Sequence, residues 1–317
     1  MIELGDDMTK VRKKKLKLKK KNFAIFITCI IFIIYSIIYG TSVITKTLKE
    51  SKKQNTKTTE KKQTTEEKKL EKLNNIDKKI DYFNYAYIDR YLEYQKENKE
   101  LPTTQVITEV NIGLDNPYYT NTKPAKDLNK SYILVNKYNY LKEDYEPKNL
   151  ETIKLQYARS GMKLVNYAKD AFEKMAKDAE NENLKIIAMS TYRDYSYQKN
   201  LYNRYAENDG KDTADTYSGR AGFSEHQTGL AVDIYNGTED YTNFEKTKEF
   251  QWMKKNAHKY GFILRFPKDK TKQTGYEYES WHYRYVGIKV ATYIKEKNLS
   301  YEEYYVQNIE NKKNGSN

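Results

Sequence analysis

Cysteine and histidine are both scarce in this 317-residue chain. There is a single cysteine, Cys29. No intramolecular disulfide can form, so a domain held in an oxidising compartment has to stand on its own hydrophobic core. Only three histidines occur, His226, His258 and His282, so any imidazole chemistry must come from these positions. No internal repeat is visible, which sets solenoid and propeller architectures aside.

Charge is missing from one stretch. Phe23 to Tyr39 carries none, and the uncharged run continues to Thr45. It suffices for a helix that crosses a bilayer. Nine basic residues, Lys10, Arg12, Lys13, Lys14, Lys15, Lys17, Lys19, Lys20 and Lys21, precede it. By the positive-inside rule they hold residues 1–21 in the cytoplasm and place the rest outside, as a single-pass cell-membrane protein. The competing reading is a cleaved signal peptide, but the apolar core is longer than such peptides use, and Gly40, Thr41 and Ser42 make a poor cleavage site. Residues 22–45 are therefore expected to be an uncleaved anchor lying in the lipid bilayer.

The formal charge is +13. On the outer side of a membrane an anionic cell envelope is a more natural partner than nucleic acid, and a lysine-rich genome explains the excess without any partner. The same compositional bias accounts for the 32 tyrosines, which are not read as a recognition surface.

Aromatic residues are absent from Lys46 to Lys69. This polar stretch can bury almost nothing and reads as part of a tether, residues 46–77. Leu70, Leu73, Ile76, Ile80 and Phe83 then recur at helical spacing, and the helix is expected to run on through IDYFNYAYIDRYLEYQKEN. A compact, monomeric domain is expected over 78–305, followed by a loose polar tail, 306–317. Within the domain, QVITEVNIGLD and SYILVN read as strands. Residues 159–180 form an amphipathic helix with Met162, Val165, Ala168, Phe172, Met175 and Ala179 on one side. LKIIAMSTYR is a strand ending at Arg193, and a helix carrying Gln198, Leu201 and Tyr202 follows. LAVDI, GFILRFP and SWHYRYVG read as strands. FEKTKEFQWMKKNAHKYG is a helix closed by Gly261, and GIKVATYIKEKN is the last helix. Helices alternating with short strands predict an α+β fold with a small, mainly antiparallel sheet.

The chemistry concentrates in two motifs, SEHQTGLAVDI and ESWHYRYVG. In the first, the strand alternation of Leu230 to Ile234 turns Asp233 away from Val232, and a turn eased by Gly229 brings His226 back beside it. In the second, Glu279 and His282 are three residues apart. Two imidazoles and one carboxylate leave a coordination position open for water, the catalytic rather than the structural pattern of zinc. Glu279 is then the unspent carboxylate that serves as general base, with Glu277 as its nearby rival. Arg193 is the donor for a developing oxyanion or, equally, a clamp for a substrate carboxylate. Gln198 and Ser224 are further candidates for holding substrate, and Ser224 alternatively orients its own turn.

Each residue also has a bland reading. His226 suits a surface loop, and Glu279 a solvated charge. Asp233 among apolar strand residues is costly unless paired or metal-bound. His258 is read as favouring a helix C-terminus or capping a carbonyl. Trp281 reads as core packing, and Arg265 as a salt-bridge partner or a substrate contact.

On these residues the chain resembles the VanY-like D-alanyl-D-alanine carboxypeptidases, zinc peptidases of the bacterial cell wall. YILVNKYNYL, STYRDYSYQ, GFSEHQTGLAVDI, NAHKYGFILRFP and ESWHYRYVG stand in order, across roughly residues 80–300. SxHxxGxxxD followed by ExxH is the specific part. The resemblance implies a zinc D-Ala-D-Ala carboxypeptidase (hedgehog-like) fold and one zinc ion on His226, Asp233 and His282. It also implies Glu279 as base and Arg193 on the substrate near the scissile carbonyl. Ala221, Phe223 and Ser280 depart from residues more common in the family, where proline, histidine and proline stand.

The expected function is a zinc-dependent D,D-carboxypeptidase that needs no serine nucleophile and removes the terminal D-alanine from peptidoglycan stem peptides. The rivals are an L,D-carboxypeptidase acting on tetrapeptide stems, a dipeptidase, a non-catalytic wall-peptide binder and a membrane-anchored scaffold.

Overall fold

In the computed structural model the described residues are Thr28, 31–52, Lys68, Glu71, Leu73, 80–238 and 240–310. The chain divides into two units, 1–72 and 73–317. The first contributes a helix, α1 (Ile31–Lys52), long and apolar enough to cross a membrane, with its apolar window unburied. Hydroxyls of Ser36, Thr41 and Thr45 donate to carbonyls four residues earlier, at 2.8–2.9 Å. Their polarity is thereby satisfied within the helix. The basic block, Cys29 and most of the expected tether lie outside the described residues.

The second unit opens with a short 3₁₀ turn, Tyr85–Tyr87, then α2 (Ile88–Glu97) and α3 (Thr103–Ile112). The expected continuous helix is not formed. Asn84 accepts a hydrogen bond from the Ala86 amide at 3.0 Å and caps a turn, so regular helix begins only at Ile88. QVITEVNIGLD is helix rather than strand. Its β-branched residues do not decide the outcome, because Val106, Ile107 and Val110 bury against Tyr91 and Tyr94 of α2. Packing of this kind overrides a propensity difference of tenths of a kcal/mol per residue. Gly113, left-handed at φ 109°, ends α3.

Next come β1 (Lys123–Pro124), β2 (Asn139–Tyr140), β3 (Leu150–Thr152), β4 (Lys163–Val165), α4 (Asn166–Glu180), β5 (Ile187–Ser190), α5 (Tyr195–Asp209) and α6 (Lys211–Tyr217). The chain continues through β6 (Ala231–Tyr235), α7 (Lys248–Asn256), β7 (Phe262–Leu264), α8 (Thr271–Thr274), β8 (His282–Tyr285), α9 (Ile288–Lys297) and α10 (Tyr301–Tyr305). SYILVN makes no strand. Its Ser131 and Ile133 carbonyls accept instead from Arg284 Nη2, at 3.1 and 2.7 Å. The amphipathic helix starts at Asn166, because 163–165 pair with β3. The expected helix from Phe244 to Gly261 is split into a 3₁₀ turn, α7 and a second 3₁₀ turn that Gly261 closes. The tail after Tyr305 is not loose at its start. Val306–Glu310 continues α10 as a π-helical turn, Val306 is buried, and Lys123 Nζ meets Glu310 Oε1 at 2.9 Å.

The fold is mixed α/β. Two-stranded β1–β2 is parallel, β3–β4 is antiparallel, and the main sheet is an antiparallel β5-β6-β8-β7. One side of the main sheet carries Val232 and Ile234 into a core with Phe172, Met175 and Phe262. Phe172 is fully buried from α4, and truncating such a side chain to alanine costs about 3–5 kcal/mol. That core fixes β6 and β8 side by side, with Asp233 paired to His282.

Candidate active site

Local geometry delivers each ligand. His226 sits in a 3₁₀ turn, Glu225–Thr228, that Gly229 ends at φ 67°. A side chain at Gly229 would also strike Leu150 Cδ2 at 2.8 Å, so this turn requires glycine. Asp233 and His282 come from neighbouring strands at opposed positions, and cross-strand partners lie close by construction. One ligand atom from each of His226, Asp233 and His282 falls within 4.8 Å of the others, and all three residues are buried. The loop before His226 is held without proline at Ala221. The Leu141 amide donates to the Gly222 carbonyl at 2.8 Å, and a Cβ at Gly222 would lie 2.7 Å from Leu141 O.

The two imidazoles present different nitrogens. His226 Nδ1 is 2.6 Å from the Thr191 carbonyl, leaving Nε2 at 3.3 Å from Asp233 Oδ2. His282 turns Nδ1 toward Asp233 Oδ1 at 3.1 Å and toward Glu279 Oε2 at 3.4 Å. Asp233 Oδ1 is buried and, despite that 3.1 Å approach, makes no well-aligned hydrogen bond. Two nitrogens and one carboxylate oxygen, gathered within 4.8 Å, fit a divalent cation with an open position.

Electrostatics divide the group. Burial, aided by Arg193, pushes His226 down to about 4 against the pull of Asp233. Burial works the same way on His282, but Asp233 and Glu225 outweigh it and raise the imidazole to about 9. Burial opposes the charge on Asp233 too, yet the two histidines hold its carboxyl well below the usual range. Glu279 is different. Burial lifts it to about 8, with His282 and Arg193 opposing and Asp233 and Glu277 adding. A turn over Glu279–Trp281 brings it beside His282.

Arg193 lies three residues beyond β5, just before Asp194 caps α5. Its amide donates to the His226 carbonyl at 3.2 Å. Its guanidinium donates to Ser190 Oγ at 2.7 Å and Gln198 Oε1 at 3.0 Å, and reaches Asp233 Oδ2 at 3.5 Å. A β-bulge between Ala188 and Ser190 turns Met189 and Ser190 toward the site. Gln198 is buried behind Arg193, with its amide nitrogen on the Gly219 carbonyl at 2.7 Å, so it braces the guanidinium.

A cavity of about 580 Å³ opens over these residues. Arg193, Ser224, His226, Asp233, Glu279 and His282 line it, and Glu277 is an exposed residue at its edge. Trp281 is half-buried on the wall, edge-on to Tyr241 at 5.1 Å between ring centres, and is not core packing. Tyr197, Tyr205 and Tyr217 share that wall with Tyr241, so some of the tyrosines dismissed as composition do face the site. Phe223 also lines it, packed on Tyr119. His258 lies elsewhere, on a cavity of about 460 Å³, with Nδ1 buried and unpartnered. It neither joins the ligands nor caps a carbonyl through that nitrogen. Arg265 proves to be an ion-pair residue, 2.8 Å from Glu225 and 2.5 Å from Glu302. Glu225, Arg284 and Glu302 were missed in the sequence. The signal was present as two arginines set within apolar strand segments, FILRFP and HYRYV.

Comparison with known proteins settles the family. The model of the family described as VanY, D-alanyl-D-alanine carboxypeptidase, matches residues 161–288. YodJ of Bacillus subtilis (strain 168), a carboxypeptidase by name, is 38% identical over 213 residues, covering 61% of this chain and 76% of that protein. The chain belongs to the VanY family of D-alanyl-D-alanine carboxypeptidases. Within this family, a D-alanyl-D-alanine carboxypeptidase of Enterococcus faecalis (strain ATCC 700802 / V583) is 33% identical over 203 residues, 60% of this chain and 71% of that one. The solved LD-carboxypeptidase LdcB is 39% identical with a TM-score of 0.52, covering 55% of this chain and 85% of that chain. As a VanY family member, the chain is a metallohydrolase, and His226, Asp233 and His282 form a cluster with the capacity to hold a divalent metal.

Proposed function

We propose that this protein is a zinc carboxypeptidase that removes the terminal D-alanine from peptidoglycan stem peptides. One observation carries the reading. Three buried ligand atoms gather within 4.8 Å on the floor of a cavity that also holds the buried, unspent carboxylate of Glu279. When bound by His226, Asp233 and His282, zinc supplies a water of lowered pKa and a Lewis-acid contact for the scissile carbonyl. Glu279 takes the proton of the attacking water and delivers it to the leaving amine. Arg193, held by Ser190 and Gln198, donates to the carbonyl oxygen as negative charge develops there. Ser224 and the aromatic wall position the peptide. No serine nucleophile enters. The similarity supports the zinc D-Ala-D-Ala carboxypeptidase (hedgehog-like) variety of the mixed α/β fold.

A D,D bond is the first choice of substrate, in keeping with the family and with the E. faecalis relative. A second reading, cleavage of an L,D bond in tetrapeptide stems, is favoured by the likeness to LdcB. The whole protein with zinc, incubated with defined pentapeptide and tetrapeptide stems, separates the two. D-alanine released from the pentapeptide alone supports the first, and release from the tetrapeptide alone supports the second. A zinc-loaded protein that releases nothing from either overturns both.

The same proposal places residues 22–45, which include the first half of α1, across the cell membrane, with residues 1–21 in the cytoplasm, 46–77 as a tether and the 78–305 domain outside. Mature protein that starts after about residue 40 would overturn this placement.

A further inference from the structure

We infer that Glu225 is a positioning residue for the metal centre, orienting His282 from behind, and that it is itself held in place through Arg265 by Glu302 of α10. The inference rests on the metal-centre reading above and extends it beyond the ligands.

Glu225 precedes His226 in the same 3₁₀ turn, and its side chain points into the protein, 4% exposed. Its two oxygens have different neighbours. Oε1 accepts from Arg265 Nε at 2.8 Å and from Arg284 Nη1 at 2.9 Å. Oε2 is buried and has no hydrogen-bond partner, and it lies 3.7 Å from His282 Nε2. That nitrogen is also buried and unpartnered. An unpaired acceptor and an unpaired ring nitrogen thus face each other on the side of His282 away from Asp233. An imidazole that gives Nδ1 to a cation carries its proton on Nε2, and the group accepting that proton fixes the ring plane and makes the ligand more basic. Glu225 is the carboxylate in that position. His226 has the Thr191 carbonyl for the same purpose.

The carboxylate is immobilised from two directions. Arg265 is gripped by both oxygens of Glu302, at 2.5 and 2.9 Å. Arg284 is gripped by the Ser131 and Ile133 carbonyls. Arg265, Arg284 and Glu302 are each at most 1% exposed. Glu302 lies beyond residues 161–288, the part that matches the family. A helix outside that region therefore reaches a ligand inside it through two ion pairs.

The rival explanation makes Glu225 only the counter-ion of two buried arginines. Zinc affinity separates the two. On the full chain in detergent micelles, zinc is titrated against a chromogenic chelator, and melting of the metal-free protein is followed in parallel. Glu225→Gln is expected to weaken zinc binding by about 10–100-fold, the usual effect of losing a carboxylate behind a metal-bound histidine. Glu302→Gln should weaken it in the same direction and by less. Glu173→Gln, which removes a buried carboxylate paired to Lys154 at 2.9 Å, should leave zinc affinity unchanged. If Glu225→Gln lowers the melting temperature yet binds zinc as the wild type does, the counter-ion explanation holds and the inference fails. If the variant does not fold, nitrogen NMR of histidine-labelled, zinc-loaded wild type decides. A hydrogen-bonded proton on His282 Nε2 supports the inference, and an unprotonated Nε2 overturns it. A wild type that holds no zinc would remove the metal centre itself, a result distinct from equal binding by wild type and variant.

Discussion

Two buried polar clusters share the SEHQTGLAVDI and HYRY segments, and they are built to opposite standards. In the cluster of Glu225, Arg265, Arg284 and Glu302, charges alternate in sign and the arginines are bound on several sides. In the cluster of His226, Asp233, Glu279 and His282, Asp233 Oδ1 makes no well-aligned hydrogen bond, one imidazole is pushed down in pKa and the other up, and a carboxyl is driven toward neutrality. A buried polar group without a partner costs about 1–3 kcal/mol. Such a cost persists where a ligand is to be received, and the first cluster shows that this chain can balance buried charge with ion pairs, leaving only Glu225 Oε2 open, on the side that faces His282. The contrast, more than the presence of histidine, marks the second cluster as functional.

The comparison breaks most visibly at His282. His282→Ala should lose both bound zinc and D-alanine release, to the level of protein stripped by a chelator, and metal analysis with a turnover assay on one preparation checks both. Glu279→Gln should separate the two properties, with zinc retained and turnover reduced by about 10²–10⁴-fold. Loss of zinc comparable to that of His282→Ala would make Glu279 a ligand, and near wild-type turnover would move the base to Glu277.

The ion-paired cluster should answer in stability instead. Arg265→Leu removes the cation that Glu225 and Glu302 share, leaving Glu225 with Arg284 alone and Glu302 buried without a cation, and removing one partner of a buried pair costs about 3–5 kcal/mol. Urea unfolding of the metal-free protein measures it. A loss below about 1 kcal/mol would mean that the cluster relaxes and is not the rigid one of the two.

The smallest effect lies at a lone buried cation. Lys137 donates to the Asp215 carbonyl at 2.6 Å and to the Gly275 carbonyl, and lies over the rings of Tyr118 and Tyr276. Burial pushes it down to about 8, with Asp215 opposing and Arg220 adding. Between about pH 8 and its ordinary value near 10.5 the unfolded chain binds the extra proton, so stability attributable to Lys137 rises with pH across that window. Below pH 8 the lysine is charged in both states, and the burial penalty is present in full. Lys137→Met should flatten the rise relative to wild type, a difference in which the tyrosines cancel. Parallel pH profiles would show that Lys137 is not strained.

The centre itself was legible because its constraints are local. SxHxxG sets a turn, LAVDI sets an alternation, and three residues separate Glu279 from His282. What the sequence could not disclose was long-range. Glu225 looks like one more charged loop residue until Arg265, 40 positions away, and Arg284, 59 away, are brought beside it. SYILVN has every local mark of a strand, yet its carbonyls go to a guanidinium. QVITEVNIGLD has the β-branched content of a strand, but α2 offers a surface that a helix covers better. In each case the deciding partner is distant in sequence.

One feature of the sheet bears on how such a protein changes over generations. Asp233 and His282 face each other across β6 and β8, with α7, β7, α8 and three 3₁₀ turns strung on the chain between them. Their separation is set by the spacing of adjacent strands, about 4.7–4.9 Å, and not by the length of what connects them. Residues 236–243 and 267–278 can therefore lengthen, shorten or be replaced with little effect on the span between these two ligands. The second of these stretches carries Tyr276 and Glu277 on the cavity wall. Substrate preference can thus drift by mutation and insertion while the reactive centre is inherited nearly intact.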